Sequence, residues 1–247
     1  LLPPDQIDMA TLRRIGVAVE CFHKASLIHD DIEDNDEYRY GQKTLHAEHG
    51  VPVAINAGDL LIGIGYRLLG QVDATPETVL SMTRLAADAH TRLCLGQGEE
   101  LDWVRAPYSI SARKMIEIFR WKTAPAFEVG LRMGAIYAGQ DRRFGEILRV
   151  FCETLGVAYQ IHDDIEDFDQ VLAVPTAPLQ PSLLLALALD GATGSTRTEL
   201  ESLIFKPCAS PHRVAKLRRI AKTMSLREQA EKMYQEYRQR TFTALDP

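Results

Sequence analysis

A chain of 247 residues with 46% hydrophobic residues is long enough for one large domain with an ample core, and its net charge of -6 excludes nucleic acid as the main partner. The four cysteines, Cys21, Cys94, Cys152 and Cys208, are too scattered for a disulfide frame or a zinc site, and three sit in helical apolar patterns, so reduced, buried thiols are expected. The longest apolar run, Leu183 to Leu189, is too short to cross a bilayer and no signal peptide opens the chain, which predicts a soluble, cytoplasmic protein with no integral membrane segment.

After a Pro-containing lead-in over Leu1 to Asp8, the residues Leu12, Ile15, Val19, Phe22, Ser26 and Leu27 recur at three- and four-residue steps and predict one helix from about Met9 to Asp34. It ends in A-S-L-I-H-D-D-I-E-D, Ala25 to Asp34, which puts Asp30 and Asp34 one turn apart on one face as a carboxylate claw. The polar stretch N-D-E-Y-R-Y-G-Q-K-T follows, with Gly41 as the breaker. A second helix, from Val51 and Pro52 to Leu69, carries Asn56, Gly58 and Asp59 in A-I-N-A-G-D-L-L. Pro76 after Thr75 opens a third, whose apolar positions Val79, Met82, Leu85, Ala86, Leu93 and Leu95 lead into G-Q-G-E-E-L-D-W before Pro107 interrupts.

Another helix is expected from about Ser109 to Ala138, and one more from about Arg142 to Phe168. The latter contains Y-Q-I-H-D-D-I-E-D, Tyr159 to Asp167, a second claw in which Asp163 and Asp167 are again one turn apart. Beyond Asp169, V-L-A-V-P-T-A-P-L-Q-P reads as a loop before a helix from Ser182 to Leu189. The tail from His212 is helical and carries Arg213, Lys216, Arg218, Arg219 and Lys222 with no acid among them, the pattern of a solvated basic face. No segment alternates at period two, so the expected class is all-α, without a sheet.

Like charges one turn apart destabilise an exposed helix by roughly 0.2–0.5 kcal/mol per pair, and by more where water is scarce. Two copies of the same acidic pattern therefore call for a cation. Oxygen ligands with no Cys or second His at ligand spacing suit a hard ion such as Mg²⁺, which completes its shell with water and substrate phosphates. Two such claws facing one another would hold a cluster of these ions around a diphosphate. Further cations would then be aimed at the phosphate oxygens: Arg39, five residues after Asp34, can curl back over the first claw, and Lys122 with Thr123 in R-W-K-T-A suits a phosphate contact. Gln97 and Gln160 are amides on apolar faces, placed to donate to a phosphate or to satisfy a core hydrogen bond.

With H-K-A-S-L-I-H-D-D-I-E-D, T-L-H, A-I-N-A-G-D, G-Q-G-E-E-L-D-W, W-K-T-A and Y-Q-I-H-D-D-I-E-D in this order, the chain resembles the trans-isoprenyl diphosphate synthases, or polyprenyl synthetases, and among them the geranylgeranyl diphosphate synthases. The resemblance covers about Arg13 to Asp169. It implies a single isoprenoid-synthase-like helical domain over residues 1–247, built around a central cavity, with further N-terminal helices in the full protein, and a homodimer. It also implies three Mg²⁺ ions brought in with the diphosphate. Carried over by position, Asp30, Asp34 and Asp163 would be the principal metal ligands, with Asp31, Asp164 and Asp167 in support. Arg39, Lys122, Thr123 and Gln160 would contact the allylic diphosphate, His23 would contact isopentenyl diphosphate, and Asp30, Asp34, Asp163 and Lys122 would be catalytic. The implied reaction is ionisation of the allylic diphosphate, attack by the isopentenyl double bond and loss of a proton.

The chain departs from the family pattern at Tyr40, where the family has a second Arg before Gly41, and in the absence of a Gly-Lys-x-x-Arg element before the first claw. Asp169 to Pro181 replaces the Gly-Lys stretch that normally follows the second. Ala25 and Ser26, five and four residues before Asp30, are small, and Phe22 lies eight residues before it, roughly 12 Å lower along a helix. As a floor to the growing chain these residues predict a product of geranylgeranyl length or longer. The same residues leave open a catalytically weak or inactive partner subunit that binds prenyl diphosphates, and a class I terpene cyclase.

Overall fold

The computed structural model describes residues 8–171, 180–205 and 211–246. Helix α1 spans Met9–Glu33, started by Asp8, whose carboxylate accepts the N–H groups of Ala10 and Thr11 at 3.0 Å. Its buried face is Thr11, Ile15, Ala18, Cys21, Ala25 and Asp31. The predicted stripe is therefore right in period but displaced, since Leu12 and Val19 only border the contact. Ala18, Cys21 and Ala25 are small enough to be buried, whereas Leu12 and Val19 keep part of their surface exposed.

A two-stranded hairpin follows, β1 (Tyr38–Arg39) and β2 (Gln42–Lys43), paired antiparallel. The expectation of no sheet is corrected at this point. Strands of two residues are too short to show an alternation, and the signal was the turn itself: Tyr40 and Gly41 both have positive φ, 52° and 76°, the geometry of the favoured two-residue hairpin loop. A short helix α2 (Leu45–His49), which the sequence pattern did not predict, leads to α3 (Val51–Leu69), with Pro52 in its first turn.

Helix α4 runs Pro76–Arg105, as expected. The single helix expected over residues 109–138 is two helices, α5 (Ala112–Lys122) and α6 (Ala124–Tyr137). Pro125 explains the break: it has no N–H to return to the Trp121 carbonyl and its ring crowds that oxygen. Thr123 takes up the bend as the C-cap of α5 at φ -123°, ψ -45°. Helix α7 spans Asp141–Val171 and α8 spans Leu183–Gly191. The loop expected between them falls at 172–179, outside the described residues, as does Cys208.

Helix α9 (Gly194–Phe205) was not predicted, because its start is rich in Gly, Ser and Thr and only Leu200 and Ile204 are buried on it. The basic tail is two helices, α10 (Pro211–Thr223) and α11 (Leu226–Thr243), separated at Ser225 with φ 51°. Among the described cysteines Cys21 and Cys152 are buried as expected, and Cys94 is exposed.

The chain forms two compact units. The first takes the described residues up to Ala89 together with Glu128–Glu146, and its core includes Ile15, Leu69, Met82, Leu85 and Met133. The second takes His90–Phe127 and the described residues from Ile147 onward, and its core includes Trp103, Ile118, Ile161, Leu184, Leu189 and Leu200. The apolar run on α8 is thus a wall of that core, and among the described residues no helix is long and apolar enough to cross a membrane.

Candidate functional site

In the first unit the site is built by the end of α1 and the hairpin after it. The tight turn at Tyr40 and Gly41 sends Tyr40 into solvent, 88% exposed, and turns Arg39 back. Arg39 Nη2 donates to Asp30 Oδ2 at 3.0 Å and its Nε donates to Asp31. Burial opposes the Arg39 charge, and the bonds to Asp31 and Asp30 outweigh it, so the guanidinium is held above its ordinary value. Asp31 is buried, and Asp34, exposed, caps the helix with its N–H on the Asp30 carbonyl at 2.8 Å.

Behind the claw α1 is fixed by α3, which runs antiparallel to it. His29 lies so close to Gly58 that a Cβ there would stand 2.2 Å from His29 Nε2, and Asp59 Oδ1 is 3.7 Å from the same nitrogen. The A-G-D of α3 therefore has a physical reading: the glycine admits the imidazole next to the claw, and the aspartate stands beside it. Two turns earlier His23 is exposed and paired with Glu20 at 3.4 Å. Ala25 is fully packed, Ser26 is exposed with its hydroxyl donating to the His23 carbonyl at 2.8 Å, and Phe22 is half-buried against α3.

In the second unit the site gathers on α7. Burial, then the neighbouring Asp167, pushes the Asp163 carboxyl up, while Tyr159, one turn before it, hydrogen-bonds to it. Asp164 accepts the N–H of Leu183 at the start of α8, and burial pushes its carboxyl up to about 7, with Glu100 adding to the rise and Lys122 opposing it. Asp167 is exposed and Gln160 is half-buried. Lys122 Nζ donates to Glu100 Oε2 at 2.7 Å, so the second claw, Lys122 and the acid end of G-Q-G-E-E form one charged group.

The backbone of W-K-T-A is clasped from two sides. A Cβ at Gly96 of α4 would lie 2.5 Å from the Lys122 nitrogen, and one at Gly156 of α7 would lie 2.8 Å from Ala124 Cα. Glycine is thus needed at both places for helices to reach the bend that presents Lys122 and Thr123. Three residues of this site escaped the sequence reading. Tyr159 was legible as the position four before Asp163, on the same face. Glu100, the partner of Lys122, and Asp59, beside His29, lie inside G-Q-G-E-E-L-D-W and A-I-N-A-G-D, but their partners are on other helices and no local spacing pairs them.

The carboxylates on α1 and α7 offer oxygen ligands only, and the raised Asp163 and Asp164 are groups that a nearby cation would relieve. They fit Mg²⁺. Among the described residues no three His, Cys, Asp or Glu side chains converge into a ready-made metal cage.

Apart from the short hairpin the fold is helical, with two aspartate-rich helix segments, on α1 and α7, each accompanied by a basic side chain. The polyprenyl synthetase family model matches residues 4–221, and the chain belongs to that family. It is 32% identical over 152 residues to the geranylgeranyl pyrophosphate synthase of Geoglobus acetivorans, covering 62% of this chain and 47% of that protein. It is 34% identical over 165 residues to the farnesyl diphosphate synthase of Escherichia coli, covering 64% of this chain and 54% of that protein. The chain spans about half the length of the curated relatives it matches. The fold matches the crystal structure of geranylgeranyl pyrophosphate synthetase from Pyrococcus horikoshii with a TM-score of 0.83 at 24% identity, over 97% of this chain and 74% of that one.

Proposed function

We propose that this protein is a trans-prenyltransferase that joins isopentenyl diphosphate to an allylic diphosphate and makes a product of geranylgeranyl length or longer. The observation that carries the reading is Arg39 folded back onto Asp30 and Asp31, a counter-ion that can be exchanged for a metal-bound diphosphate. Asp30, Asp34 and Asp163 are the principal Mg²⁺ ligands, and Asp31, Asp164 and Asp167 support them. When bound, Mg²⁺, in three ions by the family pattern, supplies the positive charge that draws electron density toward the departing diphosphate.

The chain's own residues do the rest. Arg39, Lys122, Thr123 and Gln160 hold the allylic diphosphate, and the Lys122 charge is aimed by Glu100 at 2.7 Å so that little reorganisation is needed as the allylic C–O bond breaks. His23 orients isopentenyl diphosphate, whose double bond attacks the allylic carbon before a proton is lost. Phe22, Ala25 and Ser26 line the path of the growing chain down α1. The reading includes a homodimer, as the family resemblance implies, working in the cytoplasm.

The test is purified protein with Mg²⁺, radiolabelled isopentenyl diphosphate and an allylic primer. Elongated diphosphates are the expected result. Hydrocarbon from the primer alone would make it a cyclase, and tight primer binding without turnover would make it a partner subunit.

A further inference from the structure

Two glycines seven residues apart on α3 receive two rings seven residues apart on α1. Gly58 faces His29, and Gly65 faces Phe22. A Cβ at Gly65 would lie 2.5 Å from Phe22 Cε1, 2.8 Å from Cζ and 2.9 Å from Cδ1. Three ring carbons within 3 Å cannot be accommodated by a small tilt, so ring and methyl exclude one another. The next residue completes the socket: Tyr66 meets Phe22 edge-on, with centroids 4.9 Å apart and planes at 63°. Glycine is a poor residue for the middle of a helix, and Gly65 is buried, so α3 gives up helix propensity at the place where the Phe22 ring packs.

We propose that Gly65 is a specificity-determining residue: by withholding a Cβ it draws the Phe22 ring back onto α3 and so sets how far a prenyl chain can extend along α1 below Asp30. The inference rests on the prenyltransferase reading and on Phe22 as the floor of the chain path. Gly65 touches no substrate; it acts through Phe22. A methyl at position 65 drives the ring off α3, into the space beside α1 that the chain would use, and the product shortens. Removing the ring removes the dependence on residue 65.

The experiment compares the parent, Gly65→Ala, Phe22→Ala and the double variant in the full chain, reading product length by chromatography and stability by urea unfolding. Gly65→Ala is expected to shift the main product down by at least one isoprene unit and to unfold at lower urea. Phe22→Ala is expected to lengthen the product, and the double variant to match Phe22→Ala in length, with no loss of stability from the added methyl. If Phe22→Ala lengthens the product while Gly65→Ala leaves it unchanged, the socket has no part in specificity and the inference fails alone. If Phe22→Ala changes nothing, the floor is misplaced and the inference falls with it. If the parent elongates no primer, the prenyltransferase reading itself is wrong. Should Gly65→Ala not fold, Tyr66→Leu loosens the same ring without touching the backbone; it is expected to broaden the product distribution, and an unchanged distribution overturns the proposal.

Discussion

Arg39 Nη2 stands 3.0 Å from Asp30 Oδ2, and the same guanidinium donates to Asp31 from Nε. The pairing offsets part of the claw's negative charge before any metal arrives, and exchange of its carboxylates for phosphate oxygens costs Arg39 little. Arg39→Gln is therefore expected to raise the allylic KM about ten- to a hundredfold, the equivalent of a charged hydrogen bond worth about 1.5–3 kcal/mol. Arg39→Lys, which keeps the charge and loses the fork, should fall between. Steady-state kinetics at fixed Mg²⁺ measure both, and an unchanged allylic KM in Arg39→Gln would confine the guanidinium to holding the hairpin.

Gly96 and Gly98 flank Gln97 in the same motif, yet the structure gives them opposite roles. A Cβ at Gly96 would meet the Lys122 backbone at 2.5 Å, and one at Gly98 would meet nothing within 4 Å. Backbone cannot swing aside as a side chain can, so Gly96→Ala must push α4 from α5 and is expected to cost about 1–3 kcal/mol, as overpacking does. Gly98→Ala should be neutral or stabilise by up to about 1 kcal/mol, since alanine is the better helix former. Urea unfolding of the two variants side by side decides it; equal effects would show that the clasp around Lys122 is not tight.

In the first unit Arg132 donates to Glu128 at 2.7 Å and to both oxygens of Asp141 at 2.9 Å, with Glu128 only 2% exposed. The two carboxylates hold the Arg132 guanidinium well above its ordinary value. Arg132→Met is expected to cost about 3 kcal/mol, the low end for a broken buried pair because Asp141 is partly exposed. Arg132→Met with Glu128→Gln should recover much of that, because the buried charge left behind has gone. A loss in Arg132→Met no larger than that of a surface ion pair, below about 1 kcal/mol by denaturant unfolding, would show that the triad is well solvated.

Much of this fold is local and was legible. The long helices α1, α3, α4 and α7 follow from three- and four-residue apolar steps; prolines mark the first turns of α3 and α4, and α1 closes with Asn35 at positive φ. What could not be read comes from contacts between distant segments. Ala18 and Ala25 are buried on α1 while Leu12 and Val19 are only half-buried, and Gly58 and Gly65 of α3 receive the His29 and Phe22 rings, pairings that no spacing along the chain encodes. Glu100 becomes the partner of Lys122 only when α4 meets α5, and no spacing along the chain encodes that. The break at Thr123 is local: Pro125 cannot sit inside one continuous helix over 109–138 and instead occupies the first turn of α6. The hairpin was missed because its information lies in a tyrosine and a glycine with positive φ rather than in any strand pattern.

The acidic side chains of α1 and α7 also set how the protein should respond to metal. On α1, Asp30 and Asp31 are already engaged by Arg39. Mg²⁺ alone should then bind weakly and shift the unfolding temperature little, whereas Mg²⁺ with inorganic diphosphate supplies the missing oxygen ligands and should raise it clearly. Saturation at a hundred times the apparent Kd corresponds to about 2.7 kcal/mol of added stability. Chelation by EDTA should abolish turnover and leave helical circular dichroism intact, in contrast to proteins that fold around a structural metal. Asp30→Asn and Asp163→Asn, measured in the same way, should each weaken the joint effect of Mg²⁺ and diphosphate. A large stabilisation by Mg²⁺ alone would mean that the carboxylates are organised as a metal site in their own right, and the substrate would then join an ion already in place.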